Sequence, residues 1–360
     1  MTNETLPADA PASDTRKPPK TVKCVVWDLD HTIWNGILLE DDTVELRPGV
    51  AEILRTLDER GILQSVASRN DHDRAMARLQ ALGIADYFLY PHINWNAKGQ
   101  NVEAIATALN IGQDTFLFVD DQPFEREEVA FACPAVRTLD AAELDGMLER
   151  PELNPEFITE DSRNRRRMYQ ADIDRGRAEE TFNGPSEEFL RTLDMRFTLG
   201  PCTEADLQRA EELTVRTNQL NTTGRTYGYD ELNAFRTSSR HLLLVAGLDD
   251  RYGGYGKIGL ALVEKTSDAV WTLKLLLMSC RVMSRGVGTI MMSHVMNEAR
   301  AAGARLRAEF KPNGRNRMME VTYRFGGFRE VERDGDLIVF EHDLAAVQPF
   351  PEFVRVHITR

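Results

Sequence analysis

Residues 22–32 read Val22-Lys23-Cys24-Val25-Val26-Trp27-Asp28-Leu29-Asp30-His31-Thr32. The β-branched run Val22, Val25, Val26 predicts a buried parallel strand, because a strand covered on both faces loses the polar alternation of a half-exposed one. It stops abruptly at Asp28-Leu29-Asp30. In an open α/β sheet, ligands bind just beyond the carboxyl ends of the strands. Two carboxylates there can share one divalent cation, one attacking phosphorus while the other moves a proton. The bland alternative is a strand followed by an acid-rich turn.

The chain downstream repeats the pattern. Arg47-Pro48-Gly49 opens a helix to about Arg60, and Ile62–Ala67 reads as a second strand. Ser68-Arg69-Asn70-Asp71 follows, with Asp71 the expected N-cap of a helix through Leu82. Asp86–Tyr90 reads as a short third strand, Lys98 opens a helix to Leu109, and Thr115–Val119 is a fourth strand ending in Asp120-Asp121. Strands alternating with helices imply a doubly wound parallel sheet. Ser68, Lys98, Asp120 and Asp121 thus fall on the same rim as Asp28 and Asp30. Phosphoryl transfer needs such parts: a nucleophile, a cation bridging phosphate oxygens, and donors for the remaining charge.

The totals bound the rest. A chain of 360 residues predicts two domains. No apolar run is long enough for a transmembrane helix, no secretory layout opens the chain, and residues 1–20 read as a disordered tail. Cys24, Cys133, Cys202 and Cys280 lack paired spacing, so neither a zinc site nor a disulfide framework is expected and the cytoplasm is the natural compartment. A net charge of −13 argues against nonspecific nucleic-acid binding. Expected boundaries are a tail to residue 20, a first domain over 21–147, a linker and charged helix over 148–194, a second domain over 195–345, and an extension over 346–360. The charged helix, opening near Glu160-Asp161-Ser162-Arg163-Asn164-Arg165-Arg166-Arg167, is either a solvated face or a docking patch for an acidic partner.

The second half reads differently. Arg196–Leu199 is a strand, Thr203 caps a helix to Arg216, and Asn218-Gln219-Leu220-Asn221-Thr222-Thr223 is a polar turn. After a helix at Tyr229–Phe235, His241–Ala246, Lys257–Glu264 and Val270–Met278 are strands with hairpin-like connections. Ser279-Cys280-Arg281-Val282-Met283-Ser284-Arg285-Gly286-Val287-Gly288 then leads into an apolar helix to Ala302, and strands near Leu306–Phe310, Phe328–Val331 and Leu337–Phe340 follow. A strand, a Gly-rich turn and a helix present free N–H groups to a phosphate or amide. Cys280 is either an inert core thiol or a nucleophile whose pKa is lowered by Arg281, Arg285 and the helix start.

The order Asp28 to Thr32, Ser68, Lys98, Asp120-Asp121 resembles the haloacid dehalogenase (HAD) superfamily, whose first motif is Asp-x-Asp-x-Thr. The resemblance implies that Asp28 forms an aspartyl-phosphate and that Asp30 is the general acid/base, lending its carbonyl to Mg2+. It also implies that Ser68, Arg69, Lys98 and Thr32 handle phosphate and that Asp121, helped by Asp120, holds the metal. The few residues between the first two motifs leave no room for a large cap. The second half resembles the GNAT acyltransferase fold, with Gly286 and Gly288 matching its pantetheine-cradling signature. Met283 departs from that signature, which weighs against free coenzyme A and leaves a phosphopantetheine arm carried on a protein.

Together the halves resemble the FkbH-like glyceryltransferase/phosphatase family. Further matching runs are Asn94-Trp95, Asp120 to Arg126, Thr159-Glu160-Asp161 and Asn218-Gln219-Leu220-Asn221. The resemblance implies an α/β fold with a HAD-like parallel sheet followed by a GNAT-like α+β domain. It also implies an activity that takes the glyceryl group from 1,3-bisphosphoglycerate, removes phosphate and loads an acyl carrier protein for polyketide extender units. Asn218, Gln219, Asn221, Arg281, Arg285, Gly286 and Gly288 would then contact the acyl or pantetheine group. Where many members carry Cys-Ser-Lys-Asn this chain has Ala67-Ser68-Arg69-Asn70, so either Cys280 carries the acyl group or transfer goes directly to the carrier thiol. A plain Mg2+-dependent phosphatase with the second domain as a specificity lid is the rival reading. A non-catalytic carrier-docking module is another.

Overall fold

The computed structural model describes residues 21–41 and 43–359, in two compact units divided between Glu156 and Phe157. The expected tail, residues 1–20, lies outside the described residues.

In the first unit, β1 (Cys24–Trp27) is followed by a two-stranded ribbon, β2 (Trp34–Asn35) and β3 (Glu45–Leu46). Then come α1 (Val50–Glu59), β4 (Leu63–Ser68), α2 (His72–Ala81), β5 (His92–Ile93), α3 (Lys98–Leu109), β6 (Phe116–Asp120), α4 (Pro123–Ala132) and β7 (Arg137–Asp140). The sheet order is β5-β4-β1-β6-β7 and every pairing is parallel. All four residues of β1 are buried, as a central parallel strand requires. Among the described residues between β1 and α1 this ribbon is accompanied by no helix. The third strand differs from expectation: Ala85–Tyr87 is a 3-10 turn after Gly83 (φ 71°), and the strand forms later, at His92–Ile93, where Ala67 and Ser68 offer a free edge. The strand β7 has no counterpart in the sequence reading.

The second unit contains α5 (Glu160–Arg163), α6 (Arg165–Thr181), α7 (Ser186–Thr192), β8 (Met195–Pro201), α8 (Leu207–Arg216), α9 (Tyr229–Thr237), β9 (His241–Asp250), β10 (Gly253–Ser267) and β11 (Val270–Met278). It continues through α10 (Val287–Ala301), β12 (Arg305–Phe310), α11 (Arg317–Phe325), β13 (Arg329–Asp334), β14 (Leu337–His342) and β15 (Val354–Ile358). One mixed sheet runs β13-β14-β12-β11-β10-β9-β8-β15. The pairs β11/β12 and β8/β15 are parallel. One face packs Val287, Ile290, Met291 and Val295 of α10 with Met319 and Tyr323 of α11. The other packs Leu207, Ala210 and Leu213 of α8 with Leu232 of α9.

Two segments depart from expectation. Within residues 346–360, read as an extension, Val354–Ile358 is an edge strand of the sheet. The charged helix is an anchor of the second unit rather than a solvated face. Arg175, 1% exposed, makes two bonds to Asp250 at 2.6 and 2.9 Å and lies 3.8 Å over the Tyr255 ring. Arg165 is buried against the Glu212 carboxylate, which also accepts from Thr159, Ser162 and Arg209. Buried charges stay charged only when paired in this way.

Candidate functional site

The rim of the first unit gathers side chains from four strand ends. Asp28 follows β1, Ser68 closes β4, Asp120 closes β6, and Lys98 opens α3 after β5. Lys98, 1% exposed, donates to Asp28 Oδ1 at 2.5 Å and to Asp120 Oδ2 at 2.6 Å, and pairs also with Glu125 of α4. Ser68 is buried, and its side chain opposes the upward shift of the Asp28 carboxyl. Asp30 accepts from Trp34 Nε1 at 2.7 Å, Leu38 N at 3.0 Å and Asn70 Nδ2 at 3.0 Å, so three donors fix its orientation. Asp121 N donates to Thr32 Oγ1 at 3.2 Å, which ties the loop after β6 to the loop after β1.

Burial pushes the Asp28 carboxyl above its usual range against the pull of Lys98. Burial and the Asp28 charge likewise push Asp120 up to about 7. Lys98 moves upward: burial favours the neutral amine, but Asp28 and Asp120 outweigh it. The cluster is therefore short of positive charge: Asp28, Asp120 and Glu125, with one oxygen of each within 4.8 Å of the others, share Lys98, and the second cation, Arg69, is divided between Glu125 and Glu128.

That shortage is the test of whether Mg2+ fits. Lys98 already bonds all three carboxylates, while Asp121 Oδ1 is buried without any hydrogen-bond partner. An all-oxygen donor set with an orphaned carboxylate oxygen suits a hard divalent cation. Asp28, Asp30 and Asp121 are the residues that would hold it.

One residue departs from its expected role, and one further residue belongs to the site. Arg69, expected on phosphate, pairs with Glu125 at 3.2 Å and Glu128 at 2.9 Å. Glu125, four positions beyond Asp121, joins both Lys98 and Arg69 but was read only as part of a matching run. Its place in the first turn of a helix that starts two residues after a strand-end acid pair is the signal that it faces the rim.

In the second unit the expected acyl site is rearranged. Cys280 opens a separate 3-10 turn, Cys280–Val282, and α10 begins only at Val287, seven positions further along the chain. Arg281 donates to Tyr255 O at 2.7 Å and lies 3.8 Å from Asp172, while Arg285 pairs with Glu179 at 3.2 Å, so both charges are engaged by the protein. Tyr169 of α6, also missed, sits in this corner: burial pushes its phenol up to about 12, with Arg281 opposing and Cys280 reinforcing the shift. Gly286 supplies the left-handed turn before α10 (φ 79°), and a side chain there would meet Pro351. Gly288 packs its backbone against Met278.

The segment that carries Asn218, Gln219 and Asn221 enters the sheet. β12 pairs with only the first part of β11, from Val270 to Leu273, which leaves a split further along. The α8–α9 connection fills it. Met278 N donates to Leu220 O at 2.9 Å, Thr222 N to Leu276 O at 3.1 Å, and Lys311 N to Thr222 O at 2.9 Å. Leu220 joins the α10-side core. Asn221 is fully buried, its Oδ1 accepting from Thr223 N at 3.1 Å and Gly224 N at 2.8 Å, so it is spent on its own loop. Asn218 and Gln219 are exposed.

Residues 34–125 match the model of the haloacid dehalogenase-like hydrolase family. The match begins just after Asp28–Thr32 and ends on Glu125. No curated protein matches the chain. Among solved structures, the N-terminal part of protein BF1531 from Bacteroides fragilis, described as containing a phosphatase domain complexed with Mg, is 29% identical over 38% of this chain and 40% of that one, with a TM-score of 0.34. This chain thus spans 40% of the length of that structure. The ribosomal-protein-S18-alanine N-acetyltransferase from Escherichia coli is 16% identical over 42% of this chain and 96% of that one, with a TM-score of 0.33. A HAD-superfamily hydrolase from Ehrlichia chaffeensis is 14% identical over 36% and 97%, with a TM-score of 0.30. With the observed topology, the first unit is the expected HAD-like parallel sheet without a large cap, and the second is a mixed α+β unit built on one eight-stranded sheet. Among the described residues no helix is long and apolar enough to cross a membrane.

Proposed function

We propose that this chain is a Mg2+-dependent glyceryltransferase/phosphatase. It takes the glyceryl group of 1,3-bisphosphoglycerate, removes phosphate and delivers the acyl group as a thioester to an acyl carrier protein. The observation that carries the phosphoryl half is Lys98 bridging Asp28 and Asp120 at a strand-end rim where Ser68 is also buried. The acyl half is supported by the GNAT-like unit in the same chain and by the family resemblance of its motifs.

Lys98 holds Asp28 Oδ1 and so orients the carboxylate for attack on phosphorus. As the bond from phosphorus to the leaving oxygen breaks, Asp30 delivers a proton to that oxygen, and it later takes one from the water that frees Asp28. Mg2+, when bound, neutralises charge on the phosphoryl oxygens. Ser68 and the Lys98 ammonium supply the remaining donors. In acyl transfer a thiolate, from Cys280 or the carrier's phosphopantetheine, attacks the carbonyl of the mixed anhydride and phosphate leaves. An acyl phosphate is already activated, so the protein mainly positions it.

The filled split beside β11 favours the rival reading of a plain phosphatase with the second unit setting specificity, because an arm finds no open slot there. One assay separates the two. The protein is incubated with 1,3-bisphosphoglycerate, Mg2+ and a phosphopantetheinylated carrier, and intact masses are read. A glyceryl adduct on the carrier, lost in Asp28→Asn or Cys280→Ala, supports transfer. Phosphate release with no adduct on either protein leaves the phosphatase.

A further inference from the structure

In a chain of net charge −13, residues 311–325 carry four basic side chains, Lys311, Arg315, Arg317 and Arg324, against the single acid Glu320. Arg324 is shared between Glu320 at 2.8 Å and Glu330 at 3.5 Å. Lys311, Arg315 and Arg317 are exposed and make no ion pair among the described residues. Beside them α11 exposes two large apolar side chains, Met318 at 52% and Phe325 at 81%. These stand seven positions apart and share one face of the helix, with Arg317 and Arg324 forming the next ridge. The helix is not a fraying end. Met319 and Tyr323 seat its inner face in the core, and Asn316 Nδ2 fastens the preceding loop to Asn221 O and Lys311 O, both at 2.9 Å.

We propose that the outer face of α11 and the loop before it dock an acidic protein through one of its helices. The inference rests on the proposed function, in which that partner is the acyl carrier protein. An apolar ridge rimmed by free cations, on a molecule otherwise strongly negative, fits a partner with the reverse charge and an apolar helix face of its own. A membrane is the weaker match, because two apolar side chains, Met318 and Phe325, on a nine-residue helix bury little area in a lipid interface.

The test measures binding of a fluorescently labelled, phosphopantetheinylated acyl carrier protein to the full chain by anisotropy. It compares wild type, the double variants R315E/R317E and M318S/F325S, and R196E on β8 as a control. Binding weakened at least ten-fold in each double variant, unchanged in R196E and falling with added salt, is expected. In the loading assay the same variants raise KM for the carrier ten-fold and keep kcat, while hydrolysis of p-nitrophenyl phosphate stays at the wild-type rate. Double variants that bind like wild type overturn the docking face and leave the functional reading standing. Wild type that binds phosphatidylglycerol vesicles through these residues, and not the carrier, also overturns it. Phosphate release by a wild type that neither binds nor loads carrier defeats the functional reading and this inference with it.

Discussion

Lys98 Nζ lies 2.5 Å from Asp28 Oδ1, both side chains buried, although the two residues are 70 positions apart in the chain. This pair is the hinge of the rim: the ammonium that orients the nucleophile also keeps three carboxylates together. Lys98→Ala is expected to abolish phosphate release. It should also destabilise the first unit by roughly 3–5 kcal/mol, the cost of leaving buried charge uncompensated. Urea unfolding checks the stability, and millimolar Mg2+ should restore part of it.

Metal removal should act at Asp121, whose Oδ1 has no protein partner. EDTA is expected to lower the melting temperature and stop phosphate release, and Mg2+ to raise the melting temperature of wild type. Asp121→Asn keeps the shape but loses the charge, so its melting temperature should no longer respond to Mg2+. An unchanged Mg2+ response in that variant would place the ion elsewhere.

The Glu212 carboxyl is drawn down to about 2, since Arg209 and Arg165 overcome the upward push of burial. A group whose folded pKa is depressed stabilises the fold above its unfolded value, and that stability is lost as pH falls through the folded one. The second unit should therefore hold its stability above about pH 4.5 and lose on the order of 3 kcal/mol on acidification towards pH 2. Calorimetry against pH reads this. Glu212→Gln should flatten that dependence, at the expense of stability at neutral pH.

The segment filling the β11/β12 split is core, not a mobile lid. Leu220→Ala should cost about 2–5 kcal/mol, the range for a buried leucine truncation. Hydrogen exchange at Leu276 and Met278, whose N–H groups bond Thr222 and Leu220, should quicken in that variant. If exchange there is already fast in wild type, the split opens freely in solution.

Asp28, Asp30, Ser68, Lys98 and the Asp120-Asp121 pair were legible in the sequence, because each ends a strand or starts a helix whose apolar pattern is local. The α/β class, the helix from Lys98 to Leu109 and the Asp71 cap, which accepts from Arg74 N at 2.9 Å, follow from the same short-range rules. What the sequence could not settle depends on contacts between distant segments. Glu125 reaches Lys98 only once α4 packs beside α3, and Arg165 and Arg175 are buried only because Glu212 and Asp250 come from later elements. Asn218–Thr223 looks like a solvated turn by composition. It becomes a plug because β11 and β12 part company after Leu273 and leave backbone groups that the interior cannot leave unpaired.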